Sequence, residues 1–215
     1  MITEEKTARF FDQYASGFNA IYGNDNTLVN RVVNTLFRQS MKQRYLLTLQ
    51  GCNPIAGRSV LDIGCGPGHY SVELARRGAR RVLGLDFADG MLEIARKRAV
   101  DSGVSDICNF QRADFLTTTL DEQFDYVIVM GFMDYIKDPR AMIEKTLSAT
   151  AGKAFFSFPL DGGLLARQRQ VRYRFKCDLY LYTEDRVRSL FEGLPAKIDT
   201  QNLKRDLFVT ATVQR

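Results

Sequence analysis

The sequence predicts one α/β domain in which helices cover both faces of a mostly parallel, seven-stranded sheet. From residue 58 onward, short apolar runs alternate with longer segments of helical periodicity, an order typical of β-α-β units. The runs are apolar on both faces, as strands covered on both sides require. Two later runs are separated only by Lys204-Arg205-Asp206, which predicts a C-terminal antiparallel hairpin.

Turn and capping residues divide this pattern into elements. Gly78 and Gly103 end two helical segments, and Asp138 and Thr183 precede two others as N-caps. A further amphipathic helix precedes the first strand. The predicted strands are 59–63, 81–85, 107–112, 126–130, 153–158, 196–203 and 207–213, and the predicted helices are 27–50, 68–77, 88–102, 139–149 and 183–191.

Composition narrows the class of protein. The 215 residues suffice for a domain with its own core, and the net charge of +5 is too mild to indicate a nucleic-acid partner. The four cysteines form no C-x-x-C pair, which favours free thiols over zinc or disulfides. The first residues contain no apolar signal segment, and no apolar run is long enough to span a membrane. We therefore expect a cytoplasmic protein without a metal site.

A glycine-rich loop, Gly64-Cys65-Gly66-Pro67-Gly68, follows the first predicted strand. Glycines at this place permit a tight turn and close approach of a ligand to the backbone, and the next helix N-terminus offers N–H groups. A dinucleotide loop would have its third glycine where His69 stands, and the Gly-Lys-Ser/Thr of a phosphate loop is absent. Taken alone, the loop is also compatible with a purely structural turn.

Three carboxylates accompany the predicted strand ends. Asp86 ends the second strand, where an acid can accept hydrogen bonds from both ribose hydroxyls; the alternative is a helix N-cap. Asp62 lies inside an apolar run, so it needs backbone N–H groups or a cationic ligand as partner. Asp114 could accept from an exocyclic amine while Phe115 packs on a flat base, or it could cap its own loop.

Four stretches in order resemble the motifs of the class I S-adenosylmethionine (SAM)-dependent methyltransferases, over residues 58–160. They are VLDIGCGPG, VLGLDFADGMLEIARKRA, FQRADF and FDYVIVMGFMDYI. The resemblance implies a Rossmann-like fold, SAM as cofactor and S-adenosylhomocysteine (SAH) as product. Within the family, the chain resembles the quinone-biosynthesis and magnesium-porphyrin O-methyltransferases.

The resemblance also assigns residues to the cofactor. It implies that the loop glycines line the methionyl end of SAM beside Asp62, and that Asp86 binds the ribose. Asp114 and the backbone of Phe115 would read the adenine ring. The full implied set is Asp62, Gly64, Cys65, Gly66, Gly68, Asp86, Phe87, Met91, Asp114, Phe115 and Met130.

The fourth strand end indicates the acceptor class. It lacks the Asn/Asp-Pro-Pro-Tyr/Phe of members that methylate nucleic-acid amines or protein glutamine, and it lacks the histidine pair of many small-molecule members. Asp134 and Tyr135 are the candidates for a base or an orienting group; otherwise Asp134 caps a turn and Tyr135 packs. We predict methyl transfer to a small-molecule oxygen, with nitrogen or carbon as alternative acceptors. Because the methyl is already activated, catalysis needs chiefly alignment and exclusion of water.

The flanking segments would complete the site. Residues 1–57 are predicted to form a helical lid and scaffold, from which Tyr14 or Tyr22 reaches the site. Residues 58–215 are predicted to form the SAM-binding domain, with an insertion at about 160–182. The two parts together make one structural domain. The planar guanidinium groups of the insertion suit an anionic acceptor, or they form a solvated basic edge that blocks strand pairing. These arginines are Arg167, Arg169, Arg172 and Arg174.

Two other functions share the cofactor motifs. One is a SAM-binding regulatory or partner module without turnover, and the other is an RNA methyltransferase. The basic excess is local, and no RNA-binding module accompanies it. The sequence therefore favours a small-molecule enzyme, and it leaves the acceptor and the oligomeric state open.

Overall fold

The computed structural model describes residues 28–162 and 179–214, with residues 28–38 described by their backbone only. The strands are β1 Ser59–Ile63, β2 Arg81–Asp86, β3 Cys108–Arg112, β4 Phe124–Val129, β5 Thr150–Pro159, β6 Ala196–Asn202 and β7 Asp206–Val213. The helices are α1 Leu28–Gly51, α2 His69–Arg76, α3 Asp89–Asp101, α4 Pro139–Ser148 and α5 Glu184–Ser189, with a 3₁₀ turn at Met133–Tyr135.

The seven strands form one sheet in the order β3-β2-β1-β4-β5-β7-β6. Strands β1 to β5 pair in parallel, whereas β7 runs antiparallel to both β5 and β6. The predicted doubly wound sheet with a C-terminal antiparallel hairpin is thereby confirmed. The strand order reverses between β1 and β4, so a crevice opens at the carboxyl ends of these two strands, where ligands of such sheets bind.

Alternating residues of the strands feed two cores, one on each face of the sheet. Leu61 of β1 belongs to the core covered by α4 and α5, and its neighbour Val60 belongs to the core covered by α1, α2 and α3. Helix α1 ends close against β5, because a side chain at Gly51 would overlap the ring of Phe155. The predicted burial on both faces holds for the inner strands β1, β2, β4, β5 and β7, whereas much of the two edge strands, β3 and β6, is exposed.

The element bounds differ from the predicted ones mainly around β4 and β5. Strand β5 begins at Thr150, where the sequence pattern places its start at residue 153. Its pairing with β4 shifts register between Phe124 and Tyr126, and a side chain at Gly152 would approach the carbonyl oxygen of Asp125 to 2.6 Å. The irregular start of β5 therefore depends on a close backbone contact that periodicity does not reveal. In the described part of the chain, no helix combines the length and apolarity needed to cross a membrane.

Candidate cofactor and acceptor site

The three glycines of the loop after β1 all have left-handed backbone conformations, with φ of 66° at Gly64, 52° at Gly66 and 74° at Gly68. Their surroundings differ. A Cβ at Gly64 would overlap the ring of Phe132, and one at Gly68 would come within 3.0 Å of Ala95 Cβ. A Cβ at Gly66 would meet no atom of the described residues within 4 Å. Of the three, only Gly66 has open space beside it in this part of the chain.

Helix α2 starts directly from this loop. Its N-cap is Gly68, which has no side chain to cap the helix, and its first turn contains no acidic residue. His69 at its start is in contact with Arg98, whose Nη1 lies 3.0 Å from the imidazole Nδ1. Burial, and then the charge of Arg98, lower the pKa of His69. The helix end thus presents its N–H groups and a neutral ring at the loop.

Asp62 lies beneath the loop, with an exposed fraction of only 1%. The hydroxyl of Ser71 on α2 donates to its Oδ2 at 2.5 Å. Burial raises the pKa of Asp62 to about 7, although the hydrogen bonds from Ser71 oppose that shift. The sequence predicted N–H groups of the loop itself or a cationic ligand as partner; the structure shows Ser71 on α2 as the donor instead, and the cationic ligand stays a prediction. The thiol of Cys65 beside it is buried, and burial raises its pKa.

Asp86 braces the loop from the end of β2. Its Oδ2 accepts a hydrogen bond from the Gly66 N–H at 2.8 Å, and its Oδ1 accepts one from the Ala88 N–H at 3.0 Å. The carboxylate therefore stands beside the open face of Gly66. The N-cap of α3 is Ala88 and has no side-chain capping bond, so Asp86 is not the helix cap that the sequence left open. Its ribose role stays a prediction.

Asp114 and Phe115 follow β3. Asp114 accepts hydrogen bonds from the Leu116 N–H at 2.9 Å and the Thr117 hydroxyl at 3.1 Å. These hydrogen bonds are the ones that the loop-capping alternative predicts. The ring of Phe115 is 2% exposed and packs in the core with Lys145 Nζ 5.3 Å from its centroid. Only the backbone of Phe115 is left to face a ligand, and its adenine role stays a prediction.

An aromatic pair lies over the crevice. The half-buried ring of Phe87, next to Asp86, stacks on Phe132 with 5.8 Å between ring centroids and 29° between ring planes. Met91 on α3 is 3% exposed, and Met130 at the end of β4 is 9% exposed. Phe132 belongs to no residue set that the sequence predicted, although it lies within the fourth motif.

The acceptor candidates lie on the 3₁₀ turn after β4. Asp134 is 3% exposed and Tyr135 is half-buried. The N–H of Tyr180 donates to the carbonyl oxygen of Asp134 at 2.8 Å. The hydroxyl of Tyr182, a residue only 1% exposed, donates to the carbonyl oxygen of Met133 at 3.2 Å. The chain beyond β5 thus holds the turn at the carboxyl edge of the sheet.

A buried polar network joins α1 to β4, β5 and β7 at the same edge. Ser157 Oγ accepts hydrogen bonds from the Gly131 N–H at 2.8 Å and from Arg44 Nη1 at 3.1 Å. The same Arg44 nitrogen lies 3.7 Å from Asp206 Oδ2, to which the Ser40 hydroxyl donates at 2.7 Å. The sequence offered one signal for this network, a serine within the otherwise apolar run of β5.

Several predicted residues lie outside the described part of the chain. They are Tyr14, Tyr22, Arg167, Arg169, Arg172 and Arg174. Within residues 28–162 and 179–214, no three His, Cys, Asp or Glu side chains gather where they could hold a metal ion.

The strand order, the antiparallel seventh strand and the glycine loop after β1 are those of a class I SAM-dependent methyltransferase. Residues 60–151 match a family model described as a methyltransferase domain. The predicted resemblance is thereby confirmed. SAM is the cofactor that this class uses.

Curated relatives are similar over part of their length. The ubiquinone biosynthesis O-methyltransferase of Pasteurella multocida is 34% identical over 119 residues, which are 50% of this chain and 49% of that protein. The enzyme of the same name from Neisseria meningitidis serogroup C is 37% identical over 112 residues, or 51% and 47% of the two chains. The chain spans about half the length of the curated relatives it matches.

Solved structures resemble nearly the whole chain. Magnesium protoporphyrin IX methyltransferase from Synechocystis with bound SAH has a TM-score of 0.75 at 21% identity, covering 96% of this chain and 98% of that one. Geranyl diphosphate C-methyltransferase from Streptomyces coelicolor, in complex with SAH, has a TM-score of 0.72 at 11% identity, covering 100% and 98%. At these identities the likeness confirms the fold.

Proposed function

We propose that this chain transfers the methyl group of SAM to a hydroxyl oxygen of a small-molecule acceptor. The observation that carries the proposal is the space at Gly66, which no described residue fills, between the N-terminus of α2 and the Asp86 carboxylate. The methyltransferase-domain match over residues 60–151 supports it, as does the similarity to relatives named as O-methyltransferases.

The residues around the loop suit the chemistry of SAM. Its methionyl carboxylate would bind N–H groups at the start of α2, and its ribose hydroxyls would donate to the Asp86 carboxylate at the end of β2. Asp62, beneath the loop, would favour the ammonium group once ionised. Bound SAM supplies a methyl group activated by its sulfonium, and the chain aligns the acceptor and excludes water.

The acceptor would lie at the carboxyl end of β4, beside the 3₁₀ turn. Asp134 or Tyr135 would orient the acceptor hydroxyl or take its proton. A phenolic hydroxyl is the easiest such acceptor, because its pKa of about 10 lies far below that of an aliphatic alcohol. We therefore favour a phenol-type acceptor. An anionic group on it, read by the insertion arginines, and a cytoplasmic location stay predictions.

A matched pair of glycine variants tests the cofactor site. Gly66 and Gly103 both have positive φ, 52° and 67°, and among residues 28–162 and 179–214 a Cβ at either meets no atom within 4 Å. Alanine should therefore cost each about 1–2 kcal/mol of stability through backbone strain. Only Gly66→Ala should also weaken SAM and SAH binding in calorimetry. Equal binding by the two variants would show that the open face of Gly66 is not the cofactor site.

A transfer assay separates enzyme from binding module. Purified protein with methyl-labelled SAM is offered phenols, carboxylated phenols, aliphatic alcohols, amines and RNA, and labelled product is measured. We expect label on phenols and none on RNA. SAM binding without transfer to any acceptor would favour the regulatory module, and transfer to RNA alone would overturn the small-molecule proposal.

A further inference from the structure

We infer that Phe132 provides an aromatic face for the sulfonium of SAM, so that this residue distinguishes SAM from its neutral product SAH. The inference rests on the proposed function, because it requires that SAM bind at the glycine loop. It assigns a role to the side chain that follows β4 and the Gly131 turn.

The position of Phe132 is fixed from two sides. A Cβ at Gly64 would overlap its ring, so the absence of a side chain at Gly64 is what lets the ring lie against the loop. On its other side the ring stacks on Phe87, with 5.8 Å between centroids. Phe132 therefore spans the crevice from the end of β1 to the end of β2.

The sulfonium must lie within the same interval. It is the atom that joins the methionyl part of SAM to its ribose, which the proposed function places between the Gly66 loop and the start of α2, and at Asp86, respectively. The Gly66 nitrogen and the Asp86 Oδ2 are only 2.8 Å apart, and Gly64 and Phe87 are close neighbours of these two residues in sequence. The Phe132 ring, which lies between Gly64 and Phe87, is thus next to the expected position of the sulfonium charge.

An aromatic face attracts a cation through its quadrupole, most strongly where water is excluded. SAH differs from SAM by the methyl group and the charge, so it loses this attraction while keeping the contacts of its carboxylate, ribose and adenine. The ring would therefore hold SAM for the reaction and favour release of the product. If the ring were only an apolar wall, its removal would weaken the binding of SAM and SAH equally.

The test compares SAM and SAH affinities by calorimetry in ring-free variants of the full chain. Phe132→Leu, with Phe132→Met as a second variant, should bind SAM about 5- to 30-fold more weakly and SAH within about 2-fold of the parent. Phe132→Tyr keeps the aromatic face and should keep the parent ratio. Phe87→Leu, on the far side of the stack, should weaken both ligands alike.

Each other outcome overturns the inference. Equal weakening of SAM and SAH in Phe132→Leu and Phe132→Met would reduce the ring to an apolar wall. Tighter binding of both ligands would mean that the ring occludes the crevice. If the parent protein binds neither ligand, the proposed function fails together with the inference, whereas an unchanged ratio with intact binding refutes the inference alone.

Discussion

Replacement of Asp206 by asparagine tests the buried network that joins α1 to the sheet. Asp206 is 3% exposed, and the side chain of its partner Arg44 is 11% exposed. The change leaves the guanidinium without its opposite charge but retains a side-chain oxygen for the Ser40 hydroxyl.

The expected cost follows from burial and distance. Removal of one partner of a buried ion pair costs about 3–5 kcal/mol. The nitrogen–oxygen distance of 3.7 Å is longer than a direct hydrogen bond, so we expect about 2–3 kcal/mol for Asp206→Asn. For a domain of this size, that corresponds to a fall in Tm of about 5–10 °C.

Urea denaturation followed by circular dichroism measures the change in the free energy of unfolding. The control is Asp101→Asn, which breaks an ion pair to Lys97 of 2.9 Å whose side chains are 77% and 59% exposed. That variant should lose less than about 0.5 kcal/mol. Equal losses in Asp206→Asn and Asp101→Asn would refute the reasoning, because they would show that the buried network contributes no more than a surface pair.

Three further predictions concern single side chains of the site. Tyr182→Phe should lose about 1–2 kcal/mol of stability and raise the KM for the acceptor, because the Tyr182 hydroxyl holds the 3₁₀ turn. The control is Tyr126→Phe, which loses a hydrogen bond from its hydroxyl to the Pro54 carbonyl oxygen. It should lose similar stability without a change in KM. A Tyr182→Phe variant with parental KM would contradict the positioning role. Burial raises the pKa of Asp62 from 3.8 to about 7, so the folded state binds the extra proton between these values and stability falls as pH rises from 5 to 7. Asp62→Asn should remove about 2 kcal/mol of that fall, measured by urea denaturation at both pH values; an unchanged slope would argue against the raised pKa. Asp86→Ala should weaken SAM binding in calorimetry by about 1.5–3 kcal/mol, because it removes charge-assisted hydrogen bonds and releases the N–H of Gly66; parental affinity would exclude a ribose role.

The architecture of the sheet could be predicted from the sequence because its signals are local. Each parallel strand is an apolar run bounded by glycines or capping residues, and the turn at Lys204-Arg205-Asp206 is short enough to require a hairpin. The resemblance to a family implied the Rossmann-like arrangement, whereas the order of the strands was not predicted. The structure confirms the mostly parallel seven-stranded sheet and its C-terminal hairpin.

The site was only partly predictable, because its contacts join distant residues. The sequence shows that Gly64 lacks a side chain, but not that Phe132 occupies the space. Ser40 and Asp206 are 166 positions apart, and Asp206 reads as part of a polar turn. For Asp114, the sequence spacing was equally compatible with ligand binding and with loop capping. Its hydrogen bonds with Leu116 and Thr117, which are those of loop capping, became visible only in the structure.

The polar network has a consequence for how such a protein changes during evolution. Residues 60–151, which match the methyltransferase family, contain the glycine loop, Asp86 and Phe132. Arg44, Asp206 and Tyr182, which hold the carboxyl edge of the sheet beside β4, lie in the flanking sequence on both sides. The supports of this edge and the glycine loop thus belong to separate stretches of the chain, so the flanks can change how the edge is held while the central stretch, which also contains Asp134 and Tyr135, is inherited unchanged.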